Sequence, residues 1–571
     1  MKLMFHYIRR HIWIFIAGLL FLSVETFADL AQPALMSYVV DEGVKNQDFS
    51  QIFHYGLIML AVTALGAVGA VMRNIFASHT SQTIGMELRG DMYRKVQTLS
   101  FENIDRLEPS SIITRITNDV TQIQNFINGI MRIMFKAPIT CIGAIILIII
   151  QTPRQFPVMA AILGISAILI AANMKLGYPR FGRLQERLDK LNDVSREFLT
   201  SIRVVKAFNA EATEEAKFIQ AAGDFADAGV SAMRILAIFS PLINLTVNLG
   251  IIILLFLSQR QDAGQIGRLM ASVNYMTQIL FALGMVANIL NNAVRAMASS
   301  RRVQEILDEE PVQKPVRQPE AFKVSGDITF KNVTFAYAGT SRAAVEDLVF
   351  HVNSGEIIGI IGPTGSGKST LVQLVPRFYD ATSGQVLMDG RDVTCMDVDT
   401  LRNAVAVVPQ KALLFSGTIA ENLRWGDMEA ADAQLISAAK IACAHDFIAG
   451  FPSSYETQLG QGGVNLSGGQ KQRISIARAL VKRPKVLILD DCTSALDADT
   501  EKNVLDGLNR EIRGMTVLLI SQRISTVMRA DKILCMEDGR LCGFGTHDAL
   551  MKSCRQYQEI YRSQIGGVDI G

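Results

Sequence analysis

The first 300 residues hold six apolar stretches, centred roughly on 11–38, 53–78, 127–151, 156–176, 231–257 and 266–296. Each is long enough to cross the hydrocarbon core of a bilayer, which needs about 20 helical residues. Backbone groups in lipid must find partners within the chain, so such stretches are confined to helix. The segments between them alternate in length. VDEGVKNQDFS, QTPRQ and SQRQDAGQIG are short and carry few charges. The long ones, about 80–125 and 177–230, hold Arg89, Arg94, Lys95, Arg106 and Arg115, then Arg180, Arg183, Arg187, Lys190, Arg196, Arg203 and Lys206. The bias of basic residues toward the cytoplasmic side places the long segments, both termini and the whole second half in the cytoplasm. The first stretch comes after Lys2, Arg9 and Arg10, with no small-residue cleavage site close behind it, and reads as a retained helix rather than a signal peptide.

The long segments keep a helical period, as in LRGDMYRKVQTLSFENIDRL, without the Pro and Gly that punctuate loops. The membrane helices are therefore expected to continue into the cytoplasm. They turn at short connectors near Asn103 to Leu107 and near Asn209 to Thr213, where a cytoplasmic domain can push. EILDEEPVQKPVRQPEAF, with prolines at 311, 315 and 319, then leads into short Val/Ile/Leu strands and Gly-rich turns. Overall 49% of residues are hydrophobic and 19% charged, below the ~25% charged of soluble domains; the average conceals two unlike parts. With the glycine-loop motif GEIIGIIGPTGSGKST set between a strand and a helix, the expected fold class is membrane α-helical, with six long transmembrane helices extending into the cytoplasm, followed by an α/β P-loop nucleotide-binding domain. The expected division is 1–310 transmembrane, 311–325 linker and 326–571 nucleotide-binding. A net charge of +2, with no basic block interleaved with aromatics, gives nucleic-acid binding no support. Six of the seven cysteines lie in the soluble part, with neither a disulfide framework nor a CxxC site, as suits a reducing cytosol.

The soluble part carries GEIIGIIGPTGSGKST, a strand, a glycine loop and a helix beginning near Lys368. Gly362, Gly365 and Gly367 let backbone N–H groups surround phosphate oxygens, with Pro363, Thr364, Ser366 and Thr370 completing the loop that holds ATP. Lys368 reaches the β/γ-phosphates and the Ser369 hydroxyl binds Mg²⁺. A second element, LILDDCTSALD (Leu487 to Asp497), runs an apolar strand into two carboxylates, Asp490 and Asp491. Asp490 is placed to hold magnesium through water. A third, NLSGGQKQR, puts Ser467, Gly468, Gly469 and Gln470 at the start of a helix, a second phosphate-binding design in one domain. One nucleotide does not need two. Ser467, Gly468 and Gly469 then serve a nucleotide held by another subunit, in a head-to-tail dimer with two composite sites.

P-loop, LSGGQ, the Asp490 strand and the SALD turn (Ser494 to Asp497) closely resemble the ATP-binding cassette (ABC) family. Six membrane helices followed by a cassette resemble the half-transporters of the ABC exporter class, over the whole chain. The resemblance implies ATP and Mg²⁺ as cofactors, Tyr337 stacking on adenine, and Gln410 in VVPQ touching the Mg²⁺ held by Ser369 and Asp490. In that family the residue after the magnesium aspartate is usually a glutamate acting as general base; here it is Asp491. Being one methylene shorter withdraws the carboxylate by more than ~1 Å, which can cost on the order of 10²-fold in rate. Where the family has a histidine that contacts the γ-phosphate, LLISQRISTV has Gln522, whose amide cannot carry a proton as imidazole does. Gln461 stands where exporters often have glutamate.

This pattern resembles the degenerate half of heterodimeric bacterial multidrug exporters. The partner is then a second half-transporter with the consensus Glu and His, and the function is ATP-driven export of hydrophobic or amphipathic small molecules across the inner membrane. A dedicated lipid or peptide flippase, or an ATP-gated channel or regulator, are the alternatives. Ionisable residues at membrane depth are costly and usually functional; Glu25, Asp29, Arg132 and Lys136 either pair between the first and third helices or line a cavity. Met131, Met134, Met233, Met270, Met276, Met285 and Met297 either form an adaptable apolar wall or face lipid and neighbouring helices. Asp41 and Glu42 either join an external gate or are solvated.

Overall fold

A computed structural model describes residues 2–154, 156–258, 266–313, 322–340, 342–511 and 514–565. The expected linker therefore falls partly outside the described residues, at 314–321, as does most of the last short connector, at 259–265. The chain forms two compact units, one of Met1–Gln97 with Ser110–Asp308, the other of Thr98–Pro109 with Glu309–Gly571.

The first unit is helical. After a short helix, Lys2–Arg10, come Ile12–Val44, Phe49–Thr98, Pro109–Gln151, Phe156–Ala207, Glu211–Ser258 and Ile266–Asp308. Among the described residues the first five long helices are apolar enough to span a membrane. The sixth is long enough at 43 residues but mixes Asn274 and Gln278 among residues such as Tyr275, Met276 and Ile279 that it buries. Helices of 50 and 52 residues reach roughly 75 Å at 1.5 Å per residue, far beyond a ~30 Å hydrocarbon core. The helical period of the long segments is thus realised as helices that run on to Thr98 and to Ala207; the first is followed by a break at Leu99–Ser100 and the short helix Phe101–Leu107. The second of the expected connectors falls at Asn209, in left-handed backbone (φ 49°), between the helices ending at Ala207 and starting at Glu211.

The charges at membrane depth form a cluster. Glu25, 7% exposed, meets Lys136 Nζ at 2.6 Å through one oxygen and Arg73 Nε at 2.6 Å through the other. Lys136 also reaches Asp29, one turn further along, at 2.8 Å. Glu25, Asp29 and Lys136 therefore pair as one of the two expectations had it, with Arg73 added from the second helix. Arg132 does not take part through its side chain; its carbonyl accepts from Arg73 and its guanidinium, exposed, donates to Asn128. Asp41 accepts from the Gly267 and Arg268 N–H groups (2.7 and 3.1 Å), two of the orphan donors at the start of the sixth helix. Glu42 accepts from the Tyr55 hydroxyl at 2.8 Å. Of the seven methionines singled out from the sequence, Met131 and Met276 are fully buried, and the other five are exposed on this chain.

In the second unit the strands are β1 (Ile328–Phe335), β2 (Val345–Val352), β3 (Ile357–Ile361), β4 (Ser383–Met388), β5 (Arg391–Asp392), β6 (Val405–Val408), β7 (Gly417–Thr418), β8 (Gln458–Leu459), β9 (Val486–Asp490), β10 (Thr516–Ile520), β11 (Lys532–Glu537) and β12 (Arg540–Gly545). A six-stranded sheet runs β12-β11-β3-β10-β9-β6, parallel except for β12, beside an antiparallel sheet β2-β1-β4-β5. Every residue of β9 and β10 is buried, as expected of parallel strands covered on both faces. The connector helix Phe101–Leu107 belongs to this unit. Its Phe101 ring lies 4.7 Å from Phe378, and Asp105 accepts from the Tyr379 hydroxyl at 2.6 Å. Burial, reinforced by that carboxylate, pushes the Tyr379 hydroxyl pKa up.

Breaking a buried ion pair from one side costs about 3–5 kcal/mol, because the remaining charge is left uncompensated. Glu25→Gln leaves Arg73 without its carboxylate, while Lys136 keeps Asp29, and should lower the thermal unfolding temperature of the purified protein by several degrees. The double variant Glu25→Gln, Arg73→Met should recover part of that loss.

Candidate nucleotide site

Three parallel neighbours, β3, β10 and β9, end side by side. Ile520 stands in register with Ile360 on one flank and with Asp490 on the other. The segments leaving these strands therefore converge: the glycine loop after β3, Asp491 after β9 and Gln522 after β10. Ligands of open α/β sheets bind at this carboxyl edge. The edge opens into a cavity of about 350 Å³ lined by eleven of the residues singled out from sequence, namely Tyr337, Thr364, Gly365, Gly367, Lys368, Ser369, Thr370, Gln410, Asp490, Asp491 and Gln522, together with Ala344 and Ile520.

The loop has the backbone that only glycine tolerates. At Gly367 φ is +92° and a Cβ would lie 2.5 Å from the Ala344 carbonyl oxygen; at Gly362 it would lie 2.2 Å from that of Met536. The helix Lys368–Leu374 starts immediately after, so its first N–H groups face the loop. Lys368 Nζ donates to the Gly362 and Pro363 carbonyls (2.8 and 2.7 Å) and reaches Ser366 Oγ at 3.4 Å. Burial lowers the Lys368 pKa, against the pull of Asp491 and Asp490. A cation folded over its own loop, with neutral oxygens as hydrogen-bond partners, suits an anionic ligand. Ser369 Oγ donates to Asp490 Oδ1 at 2.9 Å, and burial raises the Asp490 pKa, against the Ser369 hydrogen bond. A hydroxyl, a carboxylate and the nearby Gln410 amide form an all-oxygen donor set that fits Mg²⁺.

Tyr337 lies edge-on to Phe335 and Tyr379, with ring centroids at 4.9 and 5.4 Å, and its hydroxyl donates to Gln373 Oε1 at 3.3 Å. Gln410 does not point its amide nitrogen at the hydroxyl and carboxylate of the metal set but at Asp491. The Asp491 Oδ2 atom accepts from Gln410 Nε2 at 3.1 Å and from Gln522 Nε2 at 3.0 Å. Asp491 is 5% exposed and sits in left-handed backbone, φ 47°, the kind of strain that collects at functional sites.

Ser467, Gly468, Gly469 and Gln470 are not among the residues lining this cavity. They open the helix Gly468–Val481 with a reciprocal cap, in which Ser467 Oγ accepts from the Gln470 N–H and Gln470 Oε1 from the Ser467 N–H. Gly469 packs against the SALD turn, where a Cβ would meet the Ala495 carbonyl at 3.1 Å. Gln461 lies in a short 3-10 turn, Gln461–Gly463.

Sequence reasoning missed the group that fixes the loop after β10. Glu501 accepts from Thr493, Thr526 and Arg523 at 2.7 to 2.8 Å, and Arg523 also donates to the Leu496 and Ser494 carbonyls. Nothing in the spacing of these residues marks them. Arg73 is different, since a basic residue inside the second apolar stretch carries the same signal as Glu25 and Lys136.

Fold and site together define a P-loop ATPase joined to a helical membrane domain. Residues 15–283 match the ABC transporter transmembrane region and 345–494 the ABC transporter cassette. The chain is 37% identical to the uncharacterized ABC transporter ATP-binding protein YfiB of Bacillus subtilis, over 96% of each chain. It is 34% identical to the putative multidrug export ATP-binding/permease protein YgaD of the same organism (94% of each). It is 31% identical to the ATP-dependent lipid A-core flippase of Pseudomonas fluorescens (97% of this chain, 94% of that one). A bacterial Atm1-family ABC exporter with ATP bound shares its fold, with a TM-score of 0.80 and 26% identity over 98% and 99% of the two chains. The protein belongs to the ABC transporter family, as an exporter half that fuses the membrane region to its transport ATPase.

Gly367→Ala forces a strained backbone worth about 1–3 kcal/mol and a collision with Ala344. It should raise the Kd for ATP at least about fivefold in a binding titration, while the cassette still unfolds as one cooperative unit.

Proposed function

We propose that this chain is the slow-site half of a heterodimeric exporter. The observation that carries the reading is the state of Asp491, a shortened carboxylate tethered by two amides in a cavity with no imidazole among its described lining residues. In this reading the glycine loop and Lys368 hold the triphosphate, and Ser369, Asp490 and Gln410 hold Mg²⁺, which supplies charge neutralisation when bound. Gln522 faces the terminal phosphate as a neutral donor, and Asp491 orients water poorly because its carboxylate is short and already engaged. Tyr337 offers its ring to adenine. Ser467, Gly468, Gly469 and Gln470, standing apart from this cavity, complete the fast site of a partner half that brings the consensus Glu and His.

The membrane unit then works by alternating access, with ATP closing the cassette pair and hydrolysis at the fast site reopening it. The cassette lies in the cytoplasm and the helices cross the inner membrane. Hydrophobic or amphipathic small molecules are the proposed cargo, in line with the names of two relatives, a putative multidrug export protein and a lipid A-core flippase.

Made alone, the chain should bind ATP yet turn it over slowly; brisk ATPase activity from a purified homodimer would refute the reading. In the assembled heterodimer the variants should divide by composite site. Gly468→Asp sets a carboxylate against the partner's triphosphate and removes a site where lost donors commonly cost about 10²-fold or more, so ATPase and vesicle transport should nearly vanish. Asp491→Asn should leave most turnover intact. Equal damage from the two would make Asp491 a working base.

A further inference from the structure

The loop after β10 carries Gln522 and runs directly into the short helix Ile524–Val527. A helix start leaves backbone N–H groups without intrahelical partners, and Arg523, at the capping position, makes no side-chain cap. The missing partner comes from 40 residues further along the chain. Gln564 closes the C-terminal helix Arg555–Gln564, and its Oε1 accepts from the Ile524 N–H at 2.8 Å while its Nε2 donates to the Gln522 carbonyl at 2.7 Å. A carboxamide that takes the C=O of one residue and the N–H two residues on makes the pair of bonds a parallel strand neighbour would make. The side chain stands in for a strand at the point where β10 has ended.

The base of this arrangement is packed, although Gln564 itself is exposed. Tyr557, fully buried, and the partly buried Ile560 and Tyr561 of the same helix pack with Ile524, Val527, Leu550 and Ile361 in one apolar cluster. Ile361 is the residue immediately before Gly362. The C-terminal helix therefore supports both the strand that feeds the glycine loop and the backbone of Gln522. From that backbone the Gln522 side chain extends into the cavity, to within 3.0 Å of Asp491 Oδ2.

We propose that Gln564 is a positioning residue of the nucleotide site: by fixing the Gln522 backbone through two hydrogen bonds, it holds the Gln522 amide against the terminal phosphate and sets how well the site tells ATP from ADP. The proposal rests on the reading of Gln522 as the residue facing that phosphate. Gln564 touches no nucleotide itself, so its effect appears only in the difference between ligands with and without the third phosphate.

The test uses the full-length chain in lipid nanodiscs and measures Kd for two probes, Mg-AMP-PNP and Mg-ADP. Gln564→Met keeps the stem and removes both hydrogen bonds. It should weaken AMP-PNP binding about five- to tenfold, the scale of one or two ordinary hydrogen bonds, and leave ADP binding within twofold. Gln564→Glu keeps the acceptor for Ile524 but sets an oxygen against the Gln522 carbonyl, and should shift AMP-PNP at least as far. If Gln564→Met weakens both ligands alike, the residue serves packing; if it shifts neither, the residue is idle; either result overturns the proposal. Gln522→Ala separates the two ideas. Should it lower the ATP-over-ADP preference while the Gln564 variants do not, positioning fails and the reading of Gln522 stands. Should Gln522→Ala leave the preference unchanged, the reading itself is wrong and the proposal falls with it.

Discussion

Everything at the nucleotide site depends on the parallel pairing of β3, β10 and β9. The three strands are Val/Ile/Leu-rich and almost wholly buried, and each fully buried aliphatic side chain contributes about 1.5–3 kcal/mol. That burial keeps the strands in register, and the register decides which groups meet at their ends. A slip of one residue would turn the side chains of a strand to its other face and would carry Asp490 away from Ser369. The chemistry of the site is thus positioned by hydrocarbon that never contacts the ligand.

Around this edge the polar groups are engaged rather than idle. Lys368 rests on loop carbonyls, Ser369 on Asp490, and both Gln410 and Gln522 on one oxygen of Asp491. Burial pulls Lys368 and Asp490 toward their neutral forms, so a ligand that brings phosphate and magnesium relieves a cost already present. The membrane unit handles burial the other way. Glu25, Arg73, Lys136 and Asp29 form ion pairs with one another across three helices. Three of the four charges that read as candidates for cargo binding, Glu25, Asp29 and Lys136, pair between helices in this chain, and Arg132 does not.

The local elements were legible because each rests on a short-range rule. Glycines at 362, 365 and 367 announce the loop, and the reciprocal Ser467–Gln470 cap arises from a serine three residues before a glutamine. Unpunctuated helical period announces helices of about 50 residues. The sixth span was legible in length but less so in hydropathy, because its polar residues are mixed among buried ones. Arg73 carried a readable signal, whereas the role of Asp41 as a cap for the distant helix that starts at Ile266 did not.

Sequence alone determined the two-part organisation, the phosphate loop and the two departures, Asp491 and Gln522, since all of these reside in residue type at fixed spacing. Only the tertiary structure decided which of these side chains touch. It directs Gln410 to Asp491, closes Glu25 onto Arg73 and Lys136, gathers Thr493, Arg523 and Thr526 on Glu501, and brings Gln564 to the end of β10. Most of these contacts join residues tens of positions apart or more. No propensity or periodicity encodes them; they exist because apolar burial brings distant backbones together, and hydrogen bonding then selects the partners within reach.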